Sequence, residues 1–321
     1  MRPLFAVAAA GAPATVQDLG RTGHQRTGMV AGGAMDAFAL QVANLLVGNE
    51  RGAAALEVGA GRLTLRALDA GVAAVCGAPL GAELGGRPAP LWRSFAFGRG
   101  QELAWRGASA GAWAYLAVAG GIEVEPVLGS RSTYLRAGLG GLGGRVLRVG
   151  DELSAGEAPR RQERLAGRAL APADLPPVGP NAAVRTMRGP DFALLGADSA
   201  REFFSAEYRV TPRSDRMGYR LSGPALERPA GAEALSEPVA AGAVQAPPDG
   251  QPILLMADRQ TCGGYPVVAA VASADLPLAA QVRPGGTIRF VEVSLDAAQE
   301  LAAAREELLR VLESACRDAR P

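Results

Sequence analysis

Gln251-Pro252-Ile253-Leu254-Leu255-Met256-Ala257-Asp258-Arg259-Gln260-Thr261-Cys262-Gly263-Gly264-Tyr265-Pro266, followed at once by Val267-Val268-Ala269-Ala270-Val271, is the stretch whose reading decides the fold. Two apolar runs of strand length flank a break that holds a double glycine and a proline, so the pattern is strand, turn, strand. An ordinary turn is short and needs only one or two of Asn, Asp, Gly or Pro. This break also sets an anion, a cation, an amide and a hydroxyl at consecutive positions, Asp258 to Thr261. Gly263 and Gly264 beside them let backbone N–H groups approach a ligand closely or adopt positive φ. A solvated hairpin tip and a binding site both fit that composition. The variety of functional groups in so short a span points to the site.

The rest of the chain agrees with a β-rich reading. Of 321 residues, 42 are Gly and 23 are Pro, a share that favours many short strands and turns over long helices. Hydrophobic content of 48% with 20% charged residues is that of a globular protein, long enough for one large or two medium domains. A net charge of +1 argues against a nucleic-acid or membrane-surface role, each of which draws on a basic excess. All of the positive charge is arginine. With no lysine in the chain there is no Schiff-base lysine, no phosphate-loop lysine and no site for covalently bound biotin. The single histidine, His24, excludes a multi-histidine metal site and leaves any serine triad dependent on that one residue. Cys76, Cys262 and Cys316 are odd in number and far apart, so no disulfide framework is expected and a reducing cytoplasm is the expected compartment. No run approaches the ~18 apolar residues of a membrane span. Met1 to Ala14 mimics a signal peptide, but its apolar part is short and it runs straight into motif-like sequence.

In chain order, residues 3–20 read as two strands about a Gly11/Pro13 turn, and a helix is predicted over 36–47 with Asp36 as its N-cap. Strands are predicted at 62–68, 72–76, 91–97, 101–105, 113–118 and 145–153. Gly138-Leu139-Gly140-Gly141-Leu142-Gly143 matches G-x-G-x-x-G, yet no helix is expected to start there, so it is set aside as a dinucleotide fingerprint. Residues 156–182 carry mixed charge, then Pro172, Pro176, Pro177 and Pro180, and are read as a linker. The domains expected are thus an N-terminal β unit over 1–155, a C-terminal β unit over 183–293 that carries the site, and a helix over 294–321 opening on an Asp296-to-Gln299 capping box. Strands near 183–188 and 192–195 and a short helix around 198–205 are expected in the second half. A faint echo links Ser130-Arg131-Ser132-Thr133-Tyr134-Leu135-Arg136 to Ser214-Asp215-Arg216-Met217-Gly218-Tyr219-Arg220, which hints at two related β units.

The second of those segments supplies candidate ligands. Arg213, Arg216 and Arg220 lie within eight residues, and guanidinium forks match carboxylate and phosphate bidentately. A solvated charged strand fits the same residues equally well. Glu237 and Gln245 precede the quoted stretch and are placed in the same cavity.

These motifs also carry a family resemblance. Thr15-Val16-Gln17-Asp18-Leu19-Gly20-Arg21, Gly33-Ala34-Met35-Asp36, Gly129 to Tyr134, Ser214 to Leu221, and Ala257 to Thr261 with Gly263 to Pro266 together resemble the C subunit of bacterial ATP-dependent 5-oxoprolinase. That family, formerly called allophanate hydrolase subunit 2, is related to the carboxyltransferase region of urea amidolyase and is often labelled biotin-dependent carboxyltransferase. The resemblance implies a mainly β fold of two cyclophilin-like barrel units with a few short helices. It implies work in a complex with the B and A subunits of 5-oxoprolinase, on a small-molecule substrate, with ATP (and Mg) at the level of the complex. On that reading Asp258, Arg259, Glu237 and Arg216 are the catalytic candidates. Arg213, Asp215, Tyr219, Arg220, Gln245, Gln260, Thr261, Gly263, Gly264 and Tyr265 are the substrate-binding ones, with no metal ligands. Two alternatives stay open: carboxyl transfer from carboxybiotin to a urea-like or amide nitrogen, and a non-catalytic regulatory role beside a B subunit that resembles a kinase inhibitor. Cys262 stands where the family pattern leads us to expect another small residue, so no cysteine nucleophile is built on it.

Overall fold

The computed structural model describes residues 2–107, 110–158, 162–227 and 235–318. The chain divides into two compact units, the first made of residues 1–21, 32–178 and 308–321, the second of 22–31 and 179–307.

In the first unit, a seven-stranded and a five-stranded sheet enclose one core. The Leu63–Ala67 strand shows why: Leu63, Leu65 and Ala67 are buried while Thr64 and Arg66 are less so, the period-two alternation of a strand with one face inward. These side chains meet Leu4, Phe5 and Trp105 from the same sheet and Val16, Leu56, Val75 and Leu116 from the other. The Gly71–Gly77 strand is buried at every position because its second face is covered by the Ala37–Leu46 helix, where Phe38, Val42 and Leu45 pack against Val72, Ala74 and Cys76. That helix begins as predicted, with the Asp36 carboxylate accepting from the Ala39 amide at 2.9 Å.

Several expectations shift. The segment 156–182 is not a linker throughout: Leu165 and Leu170 are buried in the first unit against the helix and its strands, and the Asn181–Arg188 strand starts inside it. Proline content hid two core leucines. Of the expected 145–153 strand only Glu152 and Leu153 are extended, within a Glu152–Ala155 strand, and Arg145 turns back to grip Asp151 with both terminal guanidinium nitrogens, at 2.7 and 2.8 Å. Residues 192–194 form a 3-10 turn rather than a strand. The last helix, Leu295–Asp318, is capped by Ser294, whose hydroxyl accepts from the Ala297 amide at 3.1 Å, two residues ahead of the box expected at Asp296.

The second unit is a closed seven-stranded barrel, in the order Asn181–Arg188, Val267–Val271, Ala243–Gln245, Ile253–Leu255, Gly218–Ser222, Glu207–Val210 and Thr287–Glu292. Parallel pairing of the last strand with the first closes it and leaves no edge. Phe203, from the Ala197–Ser205 helix, stacks on the buried Phe290 of the last strand at 4.6 Å between centroids. The quoted stretch does form strand, turn, strand, and the register Gly218↔Leu255 brings residues 213–217 and 256–261 out at the same end of the barrel. Among the described residues no helix is long and apolar enough to cross a membrane.

Candidate functional site

At that end of the barrel the chain leaving Leu255 runs beside the chain entering Gly218. The Met256 amide donates to the Met217 carbonyl at 2.9 Å and the Asp258 amide to the Arg216 carbonyl at 2.8 Å. This backbone pairing aligns the two side chains in a forked ion pair, Arg216 Nε to Asp258 Oδ2 at 2.9 Å and Nη2 to Oδ1 at 3.0 Å. The side chains are 11% and 7% exposed. Both oxygens of Asp258 are therefore engaged by one guanidinium, the strongest of the ordinary charge-assisted geometries. Asp258, expected among the catalytic residues, is instead the anchor of a clamp, and Arg216 is neutralised within it.

Arg259, the next residue, is placed differently. Its Nε donates to the Val239 carbonyl at 3.1 Å, and among the described residues no carboxylate pairs with it. Burial without a compensating anion pushes its guanidinium down from the ordinary value. Val239 is held there by a two-stranded ribbon in which Glu237 faces Gly263 and Pro238 faces Cys262, with the Val239 amide donating to the Thr261 carbonyl at 3.1 Å. The ribbon thus carries Glu237, exposed, to a position opposite Gly263.

Behind Gly263 lies a pair of amides. Gln245, only 1% exposed, donates from Nε2 to the Tyr265 carbonyl at 3.2 Å, and its Oε1 accepts from Gln260 Nε2 at 3.2 Å. Gly263 is required for space: a Cβ there would lie 2.5 Å from Gln245 Nε2. The structure therefore brings together Arg259, Gln260, Thr261, Gly263, Gly264, Tyr265, Gln245 and Glu237, seated on the Arg216–Asp258 clamp.

Four candidates do not join them in the expected role. Tyr219, expected to bind substrate, points into the barrel, 5% exposed, and its hydroxyl donates to the Ala280 carbonyl at 2.7 Å. Arg220, next to it on the strand, faces the other way and is exposed, as is Arg213, so the expected convergence of several guanidiniums reduces to Arg259. Asp215 closes the turn before the strand, its carboxylate accepting from the Met217 amide at 2.8 Å. A polar residue in a tight loop satisfies its own backbone first.

The first unit holds a comparable arrangement for which no role was read from sequence. Asp18 Oδ1 accepts from the Gly20 amide and the hydroxyls of Ser130 and Ser132 at 2.8, 2.7 and 2.5 Å, while Oδ2 accepts from the Arg131 amide at 2.6 Å. The echo between 130–136 and 214–220 has this physical counterpart: each segment is seated on an aspartate near a strand end. The signal was present in Thr15 to Arg21, a polar motif that is largely buried. Nearby, Tyr115 donates to Glu57 at 2.7 Å and accepts from the Asp36 amide at 2.7 Å. Burial, with the Glu57 and Asp36 carboxylates, holds that phenol well above its ordinary value, so it stays a donor. His24 is partly exposed and caps a 3-10 turn through its carbonyl, which accepts from the Thr27 amide at 3.0 Å.

Known proteins share this architecture. Residues 27–292 match the family model described as carboxyltransferase domain, subdomain A and B. Over 304 residues, 95% of each chain, the sequence is 39% identical to the 5-oxoprolinase C subunit of Escherichia coli (strain K12). It is 33% identical over 337 residues to urea amidolyase of Lachancea kluyveri, spanning 96% of this chain and only 18% of that one. The solved urea amidolyase of K. lactis superposes with a TM-score of 0.88 at 29% identity, over 98% of this chain and 20% of the other. With the clamp, the ribbon and most of both units falling inside the matched span, the chain belongs to the carboxyltransferase domain family.

Proposed function

We propose that the chain is the C subunit of an ATP-dependent 5-oxoprolinase, a cytoplasmic hydrolase active in complex with the B and A subunits, and that the second barrel holds the acidic substrate. The observation that carries this reading is Arg259: a partly buried guanidinium with no carboxylate among the described residues, beside two ordered amides. A buried charge costs several kcal/mol unless something pairs with it, so the position is favourable for an anionic guest. The extensive identity to a 5-oxoprolinase C subunit supports 5-oxoproline as that guest.

Opening the lactam adds the elements of water across its C–N bond. One proton must leave the attacking water and one must reach the departing nitrogen. Arg259 holds the substrate carboxylate through its remaining N–H groups and keeps the ring in register. Gln260, Thr261 and the Gly263 and Gly264 amides meet the lactam, with Tyr265 along one side. Glu237, exposed and opposite Gly263, is the group placed to accept the water proton. The Arg216–Asp258 clamp fixes the backbone from which Arg259 and Gln260 project, so it positions and does not react. ATP held elsewhere in the complex would supply the activation: its γ-phosphoryl group would pass to the lactam oxygen with ADP leaving, and a second water would release that group as inorganic phosphate. Among the described residues the glycines at 138–144 turn without opening a helix, and the sequence has no lysine to meet a phosphate. ATP is therefore assigned to the complex, and no step of its handling to this chain.

The test is ATP-dependent glutamate release from 5-oxoproline by the reconstituted three-subunit complex. Arg259→Met is expected to raise KM at least ~tenfold, the loss of a charge-assisted bond. An unchanged KM removes Arg259 from substrate binding. The match to the carboxyltransferase family favours one second reading, carboxyl transfer to a urea-like or amide nitrogen with the same arginine holding the transferred carboxylate. Carboxybiotin consumption with urea or an amide as acceptor separates the two.

A further inference from the structure

The two amides behind Gly263 form a relay whose direction is fixed by the backbone. A carbonyl can only accept, so the Gln245 group that reaches the Tyr265 carbonyl at 3.2 Å must be its NH2, whichever way the side chain is drawn. That orientation turns Gln245 Oε1 to Gln260, and the Gln260 group meeting it at 3.2 Å must again be its NH2. The free end of the relay is consequently Gln260 Oε1, an acceptor that bonds no other group among the described residues, on a partly exposed side chain one residue from Arg259. Gln245 cannot rotate to reverse the relay, because it is 1% exposed and Gly263 packs against its Nε2.

Resting on the 5-oxoprolinase reading above, we infer that Gln260, oriented by Gln245, is the specificity determinant of the site: it selects a ring N–H beside a carboxylate and rejects a ring oxygen. A lactam N–H donates to Gln260 Oε1. A lactone offers a lone pair to that same acceptor, and two acceptors in contact repel. The substrate class follows as an acid bearing an unsubstituted amide N–H. Neither amide titrates, so the selection does not change with pH.

The probes are 5-oxoproline and 5-oxotetrahydrofuran-2-carboxylate, which keeps the carboxylate and ring carbonyl and replaces N–H by oxygen. Binding is measured by titration calorimetry on the reconstituted complex. The wild type is expected to bind the lactam at least ~tenfold more tightly, the loss that one unmet hydrogen bond produces. Gln260→Met is expected to bring the two ligands within about twofold of each other by weakening the lactam alone. Gln245→Leu frees Gln260 to turn its NH2 outward, so lactone affinity should rise above that of the wild type, which a merely structural defect would not produce. Equal binding of both probes by the wild type overturns the inference and leaves the 5-oxoprolinase reading standing, as does an equal loss of both in Gln260→Met. Binding of neither probe by an assembled complex removes the reading and the inference together.

Discussion

Removing Asp258 isolates the contribution of the clamp. Asp258→Ala leaves the Arg216 side chain, 11% exposed in the pair, without the two bonds at 2.9 and 3.0 Å that Asp258 supplies. Breaking one side of a buried pair costs ~3–5 kcal/mol, and the slight exposure of this pair argues for the lower end, about 3 kcal/mol. Tryptophan fluorescence is blind to the change, since Trp92, Trp105 and Trp113 all lie in the first unit. Hydrogen exchange is not: the Met256 and Asp258 amides report the clamp directly through their bonds to Met217 and Arg216. A loss of about 3 kcal/mol predicts roughly hundredfold faster exchange at those amides. The double variant Arg216→Met with Asp258→Leu should recover most of the protection, because it removes the guanidinium together with its carboxylate. Exchange accelerated by less than about fivefold in Asp258→Ala would refute the reasoning, for that is the behaviour of an exposed ion pair.

Two further predictions rest on particular contacts. Gly263→Ala places a methyl 2.5 Å from Gln245 Nε2 and should displace the relay, costing about 1–3 kcal/mol in thermal or denaturant unfolding of the second unit, whereas Gly264→Ala, on an exposed residue, should cost under ~1 kcal/mol. Asp151 is held below the usual carboxylate range, first by its side-chain bonds to Arg145 and then by the Arg148 amide. Its folded pKa is thus lower than its unfolded one, so its contribution is complete above the unfolded value near ~4 and disappears as pH falls through the folded value. The stability gap between wild type and Asp151→Asn in denaturant titrations should be constant from pH 6 to 8, narrow as pH falls below the unfolded value, and close once the folded carboxylate is protonated.

Much of the fold was legible because short strands announce themselves locally. The Leu63–Ala67 alternation, the Asp36 cap and the strand–turn–strand at 251–271 each depend on residues adjacent in sequence. Pairings across long separations were not legible. Four arginines near two turns look equivalent in sequence, yet only the register of Gly218–Ser222 against Ile253–Leu255 decides that Arg216 meets Asp258 while Arg259 does not. Tyr219 and Arg220 differ by one position in the strand, which sends one inside the barrel and the other into solvent. Leu165 and Leu170 were masked by a proline-rich, charged neighbourhood, and their burial depends on a helix more than a hundred residues earlier.

The location of bound substrate tests the central claim most directly. A crystal structure of the complex grown with 5-oxoproline should place its carboxylate within ~3 Å of the Arg259 guanidinium and its ring N–H against Gln260 Oε1. A substrate carboxylate held elsewhere, with the Arg259 guanidinium in contact only with solvent and Val239, would contradict the account.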